Sequence, residues 1–237
     1  MKTLRNTSLI TLAVVALALL VAAPVAKAGT LTYVTSYPST PTNYSATDIG
    51  PITLFDTNLG TLNSVTLTFA GGVTGTIQFT NGSPSSSSNV FGWDTGILNL
   101  TSSSVDLGAL FASPLNVTTG TANDFLAPLA TGPVHPVSGN NSTGGIAVNP
   151  IDFSIFEAAG GGTVDDLFFL AASGTSTVGS DDGFGSDTYT TNAGAAVKVV
   201  YNYSGGSPVP EPGTLSLFGT GLLGLAGMLR SRFNKAR

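Results

Sequence analysis

The 237 residues are 42% hydrophobic but only 9% charged, against about 25% charged in an ordinary soluble chain. Thr, Ser, Asn and Gly take the place of charge, and the absence of cysteine excludes disulfides, thiolate metal sites and cysteine nucleophiles. All 13 acidic residues lie between Asp48 and Glu211, where Lys198 is the one base from Gly29 onward, so this stretch carries a net charge of −12 and repels phosphate.

The chain opens with Lys2 and Arg5, then an apolar run from Leu9 to Ala23, then Ala26-Lys27-Ala28. This order of a positive start, a greasy run and a small-x-small site is that of an export signal, with cleavage expected after Ala28. Fifteen residues of helix rise only about 22 Å, short of the roughly 30 Å hydrocarbon core, which argues against a permanent span. Residues 1–28 are therefore assigned to a signal peptide and 29–204 to the body.

The body reads as β throughout. Leu62–Ala70 alternates, with Val65, Leu67 and Phe69 on one face, and Val73–Thr80 alternates again, with Val73, Ile77 and Phe79 on one face. Gly71-Gly72 between them predicts an antiparallel hairpin. Asn81-Gly82-Ser83-Pro84 ends it and leads into a polar loop from Ser85 to Ser88. Further predicted strands are Leu31–Tyr37, Ile52–Phe55, Val90–Trp93, Ile97–Leu100, Val105–Phe111, Ile151–Phe156, Leu167–Ala171 and Ala195–Tyr203. The last places Ala195, Val197, Val199, Tyr201 and Tyr203 on one face, as a closing core strand would. Leu126–Asn149 is rich in turn residues and reads as a surface excursion, and Ile155–Ala159 as one helical turn at most. Many short strands divided by turn signals predict an all-β antiparallel sandwich, jelly-roll-like.

The run from Phe55-Asp56-Thr57-Asn58-Leu59-Gly60 through Val65-Thr66-Leu67-Thr68 and Thr74-Gly75-Thr76-Ile77 to Asn81, with the tyrosine-bearing last strand, resembles the choice-of-anchor E domain. That resemblance implies a bacterial β-domain displayed through a surface anchor, and implies no activity.

Chemistry-bearing residues are few. His135, between Pro133 and Pro136, reads as a solvated loop histidine, and one histidine without cysteine excludes a zinc site of several such ligands. Asp165-Asp166 and the Asp181–Asp187 cluster are the candidate calcium ligands. The second cluster lacks the spacing of a calcium loop and reads as solvated, so no metal, cofactor or catalytic residue is assigned. Glu157 is the one glutamate of the body, which leaves no carboxylate pair for glycoside hydrolysis legible in the sequence. Trp93, the one tryptophan, reads as a core residue. Were it exposed, it would suit a carbohydrate-binding module, with Asp and Asn bonding sugar hydroxyls. The Asn-x-Ser/Thr triplets at Asn43, Asn81, Asn99, Asn116 and Asn141 are expected by chance in such a composition.

The chain closes with a flexible Gly205-Gly206-Ser207, then Val209-Pro210-Glu211-Pro212, then an apolar run from Leu215 to Leu229, then Arg230, Arg232, Lys235 and Arg237. The prolines fix φ and remove donors, so the tetrapeptide is extended and outside any regular element. The basic tip following the run is retained on the cytoplasmic side. These parts, in this order, resemble the PEP-CTERM sorting signal of exosortase substrates, so residues 205–237 are assigned to a linker and sorting tail. The resemblance implies recognition by a membrane exosortase, removal of the tail, and delivery to the cell surface or an exopolysaccharide matrix. The resulting expectation is an exported, non-enzymatic surface or matrix protein, with carbohydrate binding through Trp93 as the alternative.

Overall fold

The computed structural model describes residues 28–205, of which Ala28–Ser204 form one compact unit. The apolar run of the export signal and the whole of the 209–237 tail lie outside the described residues. Among the described residues no helix is long and apolar enough to cross a membrane.

Alternation of apolar and hydroxyl residues builds two five-stranded sheets. The first has the order β1 (Ala28–Pro41), β14 (Gly185–Gly205), β5 (Gly60–Asn81), β10 (Ile146–Ala147), with β9 (Thr131–Ser142) also paired to β5. The second has the order β2 (Tyr44–Asp48), β13 (Phe168–Ser180), β6 (Ser88–Ser102), β7 (Leu115–Thr118), with β8 (Ala122–Leu126) also paired to β6. Two small ladders join β3 (Ile52–Thr53) to β12 (Thr163–Val164) and β4 (Phe55–Asp56) to β11 (Glu157–Ala158). The β4–β11 ladder is parallel, whereas β1–β14, β5–β9 and β5–β10 in the first sheet and β2–β13, β6–β13, β6–β7 and β6–β8 in the second are antiparallel.

The sheets face one another across one core. Leu67, Phe69, Val73, Val197, Val199 and Tyr201 of the first sheet pack with Leu98, Leu100, Phe168 and Leu170 of the second. Ile77, Phe79, Val90, Leu126 and Val137 form a smaller cluster. The expected faces of the alternating segments are the observed ones: Val65, Leu67, Phe69, Val73, Ile77 and Phe79 are buried, as are Ala195, Val197, Val199 and Tyr201. The Tyr201 hydroxyl donates to the Thr53 carbonyl at 2.7 Å, so the ring is buried with its polar end satisfied.

Several segments differ from expectation. Gly71-Gly72 is not a turn, and residues 60–81 form one strand of 22 residues. The reason is phase. A two-residue turn would pair Ala70 with Val73 and put Val73 on the face opposite Phe69, whereas both belong in the core. Glycine serves close approach instead: a Cβ on Gly71 would stand 2.8 Å from Leu98 Cδ2. For the same reason of phase, Val90–Trp93 and Ile97–Leu100 are halves of β6. Val105–Phe111 is not a strand. Val105–Leu110 is a short helix, α1, whose Leu107, Leu110 and Phe111 reach the core at helical spacing. Ile151–Phe156 is likewise not extended. Pro150–Ile155 forms a 3-10 turn, started by the preset φ of Pro150 and by Asn149, whose side chain accepts from the Ile151 N–H. That turn ends at Ile155, before the expected Ile155–Ala159 position. The 126–149 excursion contains β9, an edge strand that tolerates Pro133 and Pro136 because it pairs on one side only.

Candidate functional site

β6 runs through the middle of the second sheet and presents different chemistry on its two faces. Gly92, Asp94, Gly96, Leu98 and Leu100 point inward, while Phe91, Trp93, Thr95, Ile97 and Asn99 point outward. Trp93 is therefore not a core residue. It sits half-buried on the solvent face, because the inward phase of β6 is taken by Leu98 and Leu100, whose parity is opposite to that of Trp93. Phe91 lies beside it over Gly179 of β13, where a Cβ would come within 2.8 Å of the ring.

Register places the neighbours of this row. Thr177 is opposite Trp93 and Thr175 opposite Thr95 on β13. On the other flank, Asn123 of β8 is opposite Phe91, and Phe125, 75% exposed, is opposite Asn89. Thr118 and Asn116 of β7 are opposite Thr95 and Ile97. The result is an aromatic row edged by amides and hydroxyls, and none of these side chains is ionisable.

On the inner face at the same point of β6, Asp94 is wholly buried. Its Oδ2 accepts from the Thr191 hydroxyl at 3.5 Å, while Oδ1 has no partner. Burial, then the charge of nearby Asp187, push its carboxyl up to about 6, with the Thr191 bond acting the other way. The backbone around Asp94 is held by Thr119, whose hydroxyl accepts from the Asp94 N–H at 2.9 Å and whose N–H donates to the Asp94 carbonyl at 2.9 Å.

The other candidates are dispersed. His135 is not a solvated loop residue. It lies in β9 opposite Ile77, with Nε2 at 3.0 Å from both Asp124 carboxylate oxygens, beside a cleft of about 430 Å³ lined also by Thr121, Asn123 and Ser138. Asp165 and Asp166 are exposed. The 181–187 acids do not converge. Asp181 is exposed, and Asp182 turns back to accept from the Phe184 N–H and the Ser180 hydroxyl, each at 3.1 Å. The Phe184 bond chiefly holds the Asp182 carboxyl below its ordinary range. Asp187 carries a buried Oδ2 without a partner. Asn81, one of the triplet asparagines, is wholly buried, and its amide donates to the Ser86, Leu126 and Ala127 carbonyls. Among the described residues no three His, Cys, Asp or Glu side chains form a metal cluster.

Fold and surface define an all-β sandwich with an uncharged aromatic face. Residues 208–232 match the PEP-CTERM protein-sorting motif, which covers Pro210, Glu211, Pro212 and the apolar run. The motif marks the chain as an exported protein, transiently anchored through its C-terminus and processed by an exosortase. No curated protein matches the chain. Among solved structures, that of infectious bursal virus derived T=1 particles is 11% identical, with 78% of this chain and 37% of that one covered, at a TM-score of 0.18. That of the infectious bursal disease virus Gt strain is 12% identical, covering 78% and 39%, at a TM-score of 0.14. The chain thus spans well under half the length of either.

Proposed function

We propose that this is a surface or extracellular-matrix protein without enzymatic activity, which contacts neutral exopolysaccharide through the outer face of its second sheet. The observation that carries the reading is the position of Trp93 on that face, in line with Phe91 and edged by Asn123, Thr95 and Thr177. Aromatic faces stack on the C–H faces of pyranose rings, and amides and hydroxyls bond their hydroxyl groups. An uncharged platform on a body of net charge −11 favours a neutral polymer over an anionic one. The reading without catalysis is supported by Asp94, whose carboxyl is wholly buried away from any substrate. The body is also assigned to the choice-of-anchor E type, on the sequence from Phe55 to Asn81.

Trp93 is the one tryptophan, so its emission reports on this face alone. Titration with the host's own exopolysaccharide is expected to shift and saturate that emission, and Trp93→Ala to abolish retention on the polymer while leaving the melting temperature within a few degrees. Unchanged emission, with equal retention of parent and variant, contradicts the proposal.

A further inference from the structure

We propose that Asp94 and Asp187 hold a calcium ion in the space between the two sheets, with the Thr191 hydroxyl as a neighbouring ligand. The starting observation is a pair of unmet acceptors. Asp94 is 0% exposed and its Oδ1 has no partner, and Asp187 has a buried Oδ2 in the same condition. Asp187 and Thr191 are four residues apart on β14, so alternation sets both side chains on the inward face toward which Asp94 points from β6. Ser176 of β13 lies directly opposite Asp94 and shares its face. The opposing β5 gives room with Gly75, where a Cβ would stand 3.0 Å from Asp94 Oδ2.

Among the described residues no cationic side chain is placed to balance this pair. Among the described residues Lys198 is the one Lys or Arg, and it is exposed, while the one histidine is bonded to Asp124. A buried carboxylate with one oxygen unpaired and no cation beside it is costly, and a cation from solvent would supply the missing counter-charge. The donors here are carboxylate and hydroxyl oxygens, with no nitrogen or sulfur. That set suits calcium, which accepts irregular oxygen cages filled out by carbonyls and water, better than magnesium, which demands a tight octahedron. Asp187 is partly exposed and gives the ion its path from solvent. The 181–187 cluster is thus divided: Asp187 serves the interior, while Asp181 stays in solvent.

The test uses the mature exported protein and calcium chloride at pH 7.5. Native mass spectrometry is expected to show one calcium per chain, removed by chelator. Millimolar calcium should raise the melting temperature by several degrees, because an ion bound only by the folded state stabilises it. Asp94→Asn and Asp187→Asn should lose the rise, and Asp181→Asn should keep it. A parent protein with no calcium adduct and an unchanged melting temperature overturns the proposal, and so does a rise that survives in both Asp94→Asn and Asp187→Asn. The parent measurement stands by itself should a variant fail to fold.

Discussion

Asp94 concentrates at one residue the conflict between a solvent face and a core. Its neighbour Trp93 carries the proposed sugar contact outward, while Asp94 itself must point inward among apolar side chains. Its folded-state pKa of about 6 lies above the ordinary value of 3.8, so the native state binds the proton more tightly than the unfolded chain. This contribution to stability is fully present below the ordinary value and is lost as pH rises through about 6. Screening by the solvent that reaches the partly exposed Asp187 limits the loss to on the order of 2 kcal/mol. In chelator, urea midpoints of the parent should therefore fall between pH 4 and pH 7 relative to those of Asp94→Asn, whose amide has no proton to lose. Parallel pH profiles would show that Asp94 does not titrate in this window. Asp182, held low by the Phe184 N–H, acts with the opposite sign at lower pH and is common to both proteins.

At the scale of elements, the long strands depend on glycine where neighbouring strands of a sheet press together. A Cβ on Gly75 would collide with the Thr190 carbonyl, whereas one on Gly72 has only the Gly139 carbonyl within 4 Å, at 3.8 Å. Gly75→Ala should cost about 2–3 kcal/mol in denaturant unfolding, and Gly72→Ala should be nearly neutral. Equal effects would mean that β5 does not pass between β14 and β9. Alternation made the faces of β5 and β14 legible, because parity alone decides which side chains are buried. Continuity was less legible: Gly-Gly signals a turn locally, and only the shared parity of Phe69 and Val73 shows that the strand runs on. α1 was missed because six residues hold too few turns for a period to stand out, although Leu107, Leu110 and Phe111 carry it. Strand β9 was hidden by prolines that an edge position tolerates. The outward Trp93 was also readable in principle, since Leu98 and Leu100 have the opposite parity. Asp94 and Asp187, 93 positions apart, become neighbours only through the tertiary fold, which no local pattern encodes.

For the whole molecule, the two ends of the sandwich meet. Ala28 pairs with Ser204, so the expected export cleavage site and the start of the tail emerge at the same end of the β1–β14 ladder. The sorting motif begins at residue 208, a few positions in sequence after Ser204 of the last ladder pair. The loops at residues 82–87 and 181–184, joined by the Gly82 N–H to the Phe184 carbonyl at 2.9 Å, lie at the other end of β5 and β14. Processing by an exosortase is the step on which the proposed surface display turns. A passive spacer needs only length and polarity, whereas a recognised motif loses a charge-assisted contact and a preset extended shape when Glu211 becomes Gln and Pro210 becomes Ala. Each loss is worth on the order of 1–3 kcal/mol. The most direct measurement is the intact mass of the exported chain, in parent and in the Pro210→Ala, Glu211→Gln double variant, from a host that makes the exosortase. The parent should lack residues 215–237 and the variant should retain them in the membrane fraction; a variant trimmed and released as efficiently as the parent would contradict the account.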